Sequence, residues 1–191
     1  PAFAGMTFGV TPQGAATEFF KMLYRHSIIL KSRPEKQPGQ FKQHHHRAGE
    51  SRFVAPELFL GTLERGFQLF EKLQHPMARA IYVMFLIAEI HPFSDGNRPI
   101  SRIMMNAELH QKNQERIIIP NVYRMEYLQS LRALTHHQRS TPLISVMKYA
   151  QRFVSRIHFS NYKKAVEKLK KCHAFEESAD AMGEGDKLII F

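Results

Sequence analysis

The apolar run from position 77 to position 90 constrains the fold of this chain most strongly. Only Arg79 and Glu89 interrupt it, so it is apolar nearly all round, which is typical of a helix buried on most sides. It is also shorter than the roughly 20 residues that a membrane span requires. We therefore expect a central buried helix with a polar loop at its C-terminal end.

That loop and the segment after it bring together one imidazole, one carboxylate and two guanidinium groups. These groups belong to His91, Asp95, Arg98 and Arg102. Gly96 permits a tight turn, and we predict that the next helix starts at about Pro99, because proline is favoured at a first helical position. Amides at a helix N-terminus, with arginines beside them, form an anion site. Asp95 suits Mg²⁺ and His91 suits a general base, so the pattern indicates a phosphate site.

The segment HPFSDGN, followed by Arg102, resembles the signature of the Fic/Doc family, H-P-F-x-(D/E)-G-N-G-R-x-x-R. Seven of its nine fixed positions match, and the resemblance extends over about residues 15–158. Most members of that family transfer AMP from ATP to a hydroxyl of a target protein. The resemblance therefore implies an all-α, mainly helical Fic-like fold with a small β-hairpin flap, and an AMP transferase as the activity.

The same resemblance assigns roles to individual residues. His91 is implied as the catalytic base and Asp95 as the ligand of Mg²⁺, with ATP as co-substrate. The target protein contributes a Tyr, Thr or Ser hydroxyl. The residues implied to bind the nucleotide phosphates are Phe93, Ser94, Gly96, Asn97, Arg98 and Arg102, and those implied to dock the target segment on the flap are Gln40, Phe41, Lys42 and Phe53.

Arg98 and Pro99 depart from the signature, which has glycine and then arginine at these positions. A guanidinium and one backbone N–H are thereby lost beside the phosphates. Two alternatives to AMP transfer therefore stay open: a catalytically impaired module that binds a nucleotide or a peptide, and a Doc-like phosphotransferase. The inhibitory motif S/T-x-x-x-E of many Fic proteins is absent from the sequence. Inhibition would then come from an upstream segment or from another protein, or the protein is not inhibited at all.

The sequence predicts three parts along the chain. Residues 1–14 are an irregular lead-in, residues 15–158 a Fic-like helical domain with a flap hairpin at about 40–54, and residues 159–191 an amphipathic helix and a tail ending in a short strand at 187–191. In the helix after the loop, the apolar stripe is Ile100, Ile103, Met104 and Ala107. A plain solvent loop remains the alternative to the hairpin. Adjacent histidines at 44–46 point to opposite faces of a strand, which argues against a metal site.

Charge and cysteine content limit the partners. The formal net charge of +10 suits nucleic acid, anionic lipid, nucleotide or an acidic protein equally well. The lysine-rich terminal helix is either a solvated face or a partner surface. We expect neither a nucleic-acid nor a membrane partner. The single cysteine, Cys172, excludes an internal disulfide and points to the cytoplasm.

Overall fold

The computed structural model of the protein describes residues 13–45, 47–48 and 51–176. The chain divides into two compact units, Pro1–Lys112 and Asn113–Phe191. The first unit contains the helices α1 (Gln13–Ile29), α2 (Pro56–Lys72), α3 (Pro76–Ile90) and α4 (Asn97–Gln111), and the second contains α5 (Arg124–His137), α6 (Thr141–Ser155) and α7 (Tyr162–Lys171). Short 3-10 turns lie at Pro34–Lys36 and Asn121–Tyr123. The prediction of an all-α fold is confirmed.

Little of the predicted flap hairpin is formed as strands. Across the described part of residues 40–54, the pairing is limited to β1 (Arg47–Ala48) and β2 (Ser51–Arg52), which run antiparallel. Residues 40–45 and 53–55 have no strand conformation. Positions 46, 49 and 50 lie outside the described residues, as do most of the predicted lead-in at 1–14 and the predicted strand at 187–191.

A cluster of aromatic side chains forms the core of the first unit. Phe19 from α1 makes edge contacts with Phe67 of α2 and with Phe41, at centroid distances of 5.3 and 6.4 Å. The cluster is completed by α3 and α4, and its other buried members are Met22, Leu23, Phe59, Leu63, Phe70, Val83, Ile87, Ile90, Phe93, Ile100 and Met104. Full burial of one such side chain stabilises a fold by about 1.5–3 kcal/mol. Val83, Ile87 and Ile90 of this core belong to α3, which is the central apolar helix that the sequence predicts.

Arg79, one of the two charges inside the apolar run, joins three helices. Its Nε donates to Glu108 of α4 at 2.8 Å, and its guanidinium also donates to the carbonyl oxygens of Phe70 and Leu73 at the end of α2. The guanidinium lies 3.9 Å from the centroid of the Phe70 ring. The charge is thus neutralised by a carboxylate and two carbonyl groups, which is what a largely buried guanidinium requires.

The helix after the motif starts two residues earlier than predicted, at Asn97. Its core face is also displaced from the predicted stripe, because Ile103 is 41% exposed whereas Met105 and Leu109 are buried. The buried face starts instead at Asn97, which is held inward by the loop before it, and it continues at helical spacing through Ile100, Ser101, Met104, Met105, Glu108 and Leu109.

The second unit has its own smaller core. Side chains of α6, α7 and the following turn pack together, and the buried members are Val122, Phe153, Val154, Ile157, Ala165, Cys172 and Ala174. Burial raises the pKa of the Cys172 thiol, which keeps it protonated and unreactive. The described residues contain no helix long and apolar enough to cross a membrane.

Candidate active site

His91 ends α3 in a left-handed backbone conformation, with φ 51° and ψ 61°. Its Nδ1 lies 2.6 Å from the carbonyl oxygen of Ala88. Because a carbonyl oxygen can only accept, Nδ1 carries the proton and Nε2 carries the lone pair of the neutral ring. The ring of Phe53 stacks on the imidazole, with the centroids 3.5 Å apart and an angle of 11° between the planes. The imidazole is therefore held in the tautomer that a base acting through Nε2 requires.

Gly96 connects the motif loop, which we define as residues 91–96, to α4. Its φ of 74° lies in the left-handed region, which favours glycine. A Cβ at this position would lie 3.1 Å from Nε2 of His26 and 3.3 Å from a methyl group of Leu30. The turn brings the motif loop to the N-terminus of α4, where the first N–H groups have no partner within the helix and attract anions.

Asn97 fastens the motif loop from inside. The side chain is 4% exposed, its Oδ1 accepts from the N–H of Phe93 at 2.9 Å, and its Nδ2 donates to the carbonyl oxygen of Phe93 at 2.8 Å. Both ends of the amide are thus used within the loop. In this structure the Asn97 side chain fixes the shape of the loop, whereas the sequence predicted a contact with phosphate.

Asp95 lies at the exposed side of the motif loop, where its carboxylate has partners on both oxygens. Oδ1 accepts from the N–H of Gly96 at 2.6 Å, and Oδ2 accepts from Nη2 of Arg33 at 3.1 Å. Nζ of Lys36 lies 3.9 Å from the same Oδ2. The side chain is 41% exposed, so the carboxylate faces solvent as well as these two cations.

His26 is a site residue that the sequence analysis missed. It is fully buried and stacks on the ring of Phe93 at 3.7 Å. Its Nδ1 accepts from the N–H of Gly39 at 2.9 Å, so its Nε2–H donates to the carbonyl oxygen of Asp95, also at 2.9 Å. Burial lowers the pKa of His26, although Asp95 opposes this shift, and the neutral ring is the form that fits both hydrogen bonds.

Three of the four predicted flap residues lie in the segment between the first 3-10 turn and β1. Gln40 is exposed, Phe41 belongs to the aromatic core, and Lys42 is 2% exposed. Nζ of Lys42 donates to the carbonyl oxygen of Ile90, and its N–H donates to that of Pro92. Burial lowers the pKa of Lys42. In this structure Phe41 packs in the aromatic core and Lys42 holds the motif loop through its two hydrogen bonds, and their role in docking a target segment stays a prediction. The fourth predicted flap residue, Phe53, stacks on the His91 ring.

The other predicted phosphate-binding residues are distributed over the loop and the first turns of α4. Phe93 is fully buried, and Ser94 is half-buried with its Oγ donating to Oε1 of Gln37 at 3.4 Å. Arg98 is exposed and Arg102 is half-buried. The exposed Pro99 is the third residue of α4, where a missing N–H breaks no intrahelical bond but removes one donor from the anion-binding end.

The donor set of the loop fits a magnesium–nucleotide complex. Mg²⁺ is usually held by one or two carboxylates together with substrate phosphates. Asp95 offers one solvent-facing carboxylate next to the N-terminus of α4. Among the described residues there is no group of three His, Cys, Asp or Glu side chains that forms a metal cage of its own.

We expect the substitution Gly96→Ala to destabilise the first unit by about 1–2 kcal/mol, because a residue with a Cβ is strained at positive φ and this Cβ meets His26. Urea unfolding followed by circular dichroism measures the change. Gly61→Ala is the matched control, since Gly61 is exposed within α2 with open space around it. It is expected to be neutral or to stabilise by about 0.5–1 kcal/mol. Equal stability of the two variants would show that Gly96 has no special conformational role.

Part of this chain is similar to known proteins. Residues 18–109 match the model of the Fic/DOC family. A stretch of 58 residues is 38% identical to a Protein adenylyltransferase Fic of Drosophila persimilis, and a stretch of 55 residues is 38% identical to one of Culex quinquefasciatus. These alignments cover 30% and 29% of this chain and 11% of each relative, so the similarity spans about a tenth of the length of these curated relatives.

The fold is similar to solved Fic structures. Fic-1 from C. elegans superimposes with a TM-score of 0.57 at 22% sequence identity, over 72% of this chain and 41% of that one. A Fic family protein from Desulfovibrio desulfuricans G20 has the same TM-score at 14% identity, over 81% of this chain and 48% of that one. At such identities the likeness concerns the fold. The family match contains α2, α3 and the motif loop, so residues 18–109 of this chain resemble a Fic/DOC domain and have a fold similar to solved Fic structures.

Proposed function

We propose that this domain transfers AMP from Mg·ATP to a Tyr, Thr or Ser hydroxyl of a target protein. The observation that carries the proposal is the His91 imidazole, whose Nδ1 proton is committed to Ala88 and whose Nε2 holds the lone pair. It stands at the entrance of a loop that leads into a helix N-terminus. The partial similarity to proteins named protein adenylyltransferase supports the same activity.

His91 has the role of general base in the proposed reaction. The oxygen of the target hydroxyl attacks the α-phosphorus, the bond from that phosphorus to the bridging oxygen breaks, and pyrophosphate leaves. The hydroxyl proton passes to Nε2 of His91, and the positive charge that forms is stabilised by the Nδ1–H hydrogen bond to Ala88. Phe53, stacked on the ring, keeps the imidazole in place and excludes water from one of its faces.

The motif loop and α4 bind the phosphates. The N-terminus of α4 attracts the negative charge through its N–H groups and its dipole, and Arg98 and Arg102 are carried on its first two turns. Asp95 is the residue that holds Mg²⁺. When bound, the ion neutralises phosphate charge and orients the leaving group. Asn97 and His26 contribute indirectly, because each holds the backbone of the loop in shape.

Pro99 favours a second candidate function, a domain that binds Mg·ATP without transferring AMP. It contributes no N–H to the anion-binding end of α4, and a preorganised donor of this kind is worth about 2.7–4 kcal/mol in a transition state. Under this alternative, the double substitution Arg98→Gly with Pro99→Arg creates transfer that the wild type lacks. Transfer of the γ-phosphoryl group, as in the Doc branch, is the third candidate function.

Labelled ATP distinguishes these functions. The protein is incubated with Mg²⁺ and ATP labelled at the α-phosphate or, in parallel, at the γ-phosphate, alone and with a cell lysate. Protein-bound label from the α-position alone supports AMP transfer, and label from the γ-position alone supports phosphoryl transfer. The absence of both labels, with Mg·ATP binding in calorimetry, overturns the transferase proposal in favour of the binding domain.

We also propose the setting in which the reaction occurs. The lone buried Cys172 suits a reducing compartment, and we place the protein in the cytoplasm. The partner is a protein with an accessible hydroxyl, and inhibition, where it exists, comes from another protein or from an upstream segment. Fractionation of cells that produce the tagged protein tests the compartment.

A further inference from the structure

Two cations that the proposed mechanism does not use converge on the motif loop. Nη2 of Arg33 lies 3.1 Å from Oδ2 of Asp95, and Nζ of Lys36 lies 3.9 Å from the same oxygen. The side chains of Arg33 and Asp95 are 49% and 41% exposed. An exposed ion pair contributes little to stability, so stability alone does not account for two cations placed on one carboxylate.

A fixed turn carries these cations. Arg33 precedes the 3-10 turn Pro34–Lys36, and its N–H donates to the carbonyl oxygen of Leu30 at 2.8 Å. Behind the turn, the N–H of Gly39 donates to the buried His26, which also binds the backbone of the motif loop. The hydrogen bond to Leu30 fixes the start of the turn, and His26 connects the segment after the turn to the motif loop, so Arg33 is presented to the loop by a preorganised backbone.

Arg33 and the start of α4 flank the same carboxylate. The Gly96 N–H contacts Oδ1 of Asp95 while the guanidinium of Arg33 contacts Oδ2. A guanidinium has five N–H donors, and Arg33 directs one nitrogen at Asp95 while its Nε lies 3.6 Å from Glu35. Donors therefore remain for a second anion, and the guanidinium already contacts the carboxylate that accepts from Gly96, the residue just before α4.

The first turn of α4 is also short of donors of its own. Pro99 supplies no N–H, and Arg98 is the residue of that turn with a positive charge. We propose that Arg33 is a phosphate-binding residue of the nucleotide site, contributing from the turn after α1 a guanidinium that contacts the phosphate chain of a nucleoside triphosphate. This inference rests on the proposed function, because it assumes that the motif loop binds a nucleotide.

Whether removal of Arg33 weakens or tightens the binding of Mg·ATP distinguishes this role from simple neutralisation of Asp95. If Arg33 only competes with Mg²⁺ for the carboxylate, its removal frees Asp95 and tightens the binding of Mg·ATP. If Arg33 contacts phosphate, its removal weakens binding. A charged hydrogen bond of this kind corresponds to about 10–100-fold in affinity.

Isothermal calorimetry with Mg·ATP tests the inference on the full chain. The variants are Arg33→Ala, Arg33→Lys and Arg102→Ala, with Lys31→Ala as the matched control, since Lys31 is an exposed cation just before the same turn. We expect a Kd about 10–100-fold higher for Arg33→Ala, a smaller loss for Arg33→Lys, and a change below about twofold for Lys31→Ala. Thermal unfolding midpoints close to that of the wild type establish that each variant is folded.

The outcomes separate the two proposals. An unchanged or lower Kd for Arg33→Ala, with Arg102→Ala weakened, overturns the role of Arg33 and leaves the nucleotide site intact. An equal loss for Lys31→Ala and Arg33→Ala also overturns it, because the effect is then one of net charge. If the wild type binds no Mg·ATP, the proposed function fails and this inference fails with it.

Discussion

His91→Ala is expected to lower the rate of AMP transfer by about 10²–10⁴-fold, the range typical for loss of a general base. Its Nε2 is the proposed proton acceptor, and the Nδ1 hydrogen bond to Ala88 fixes the tautomer. The affinity for Mg·ATP should stay within a few-fold of the wild type, because the phosphates are assigned to the helix N-terminus and its arginines. Initial rates with labelled ATP and binding by calorimetry measure the two quantities separately.

His75→Ala is the control for this experiment. His75 precedes the first turn of the same helix, is exposed and makes no capping hydrogen bond with its side chain. The His75→Ala variant should transfer AMP at the wild-type rate. Wild-type rates in both variants would refute the assignment of His91 as base. A loss of Mg·ATP binding in His91→Ala would instead assign the imidazole to nucleotide binding.

Periodicity predicted most of the fold because the helices of this chain bury a regular stripe. Residues 77–90 were expected to be a buried helix, and α3 spans Pro76–Ile90. Leu63, Phe67 and Phe70 of α2 face the core, as their spacing requires. The amphipathic helix predicted within residues 159–191 is α7, which ends at Lys171, and the chain continues in turns that bury Cys172. Sequence patterns locate helices better than they locate helix ends.

The support of the site was harder to predict, since it depends on contacts between distant residues. His26 did leave a signal, because it lies on the buried stripe of α1 that contains Phe19, Met22 and Leu23, where a histidine must find partners. Arg33 left none, and Lys42 was named only as a flap residue that the family resemblance implies. Their partners lie 62 and 48 residues away, and local composition resembles that of an ordinary polar loop. The sequence therefore named the groups of the motif loop but did not predict the contacts that hold this loop in place.

Asn97→Ala is expected to destabilise the first unit by about 2–5 kcal/mol. It removes the acceptor of the Phe93 N–H and the donor to the Phe93 carbonyl oxygen, and an unpaired buried backbone group costs about 1–3 kcal/mol. Urea unfolding followed by circular dichroism gives the change in free energy. Arg98→Ala, exposed on the same turn, should change it by less than about 0.5 kcal/mol.

The variant Asn97→Asp separates the two hydrogen bonds. A carboxylate still accepts from the Phe93 N–H, but its second oxygen faces the Phe93 carbonyl oxygen, so the charged form is destabilising. The pKa of the new carboxyl is then raised in the folded state, and its neutral form can donate to that oxygen. Relative to the wild type, stability should therefore increase as the pH falls through this pKa. Equal differences at all pH values would mean that the donor half of the Asn97 amide does not hold the loop.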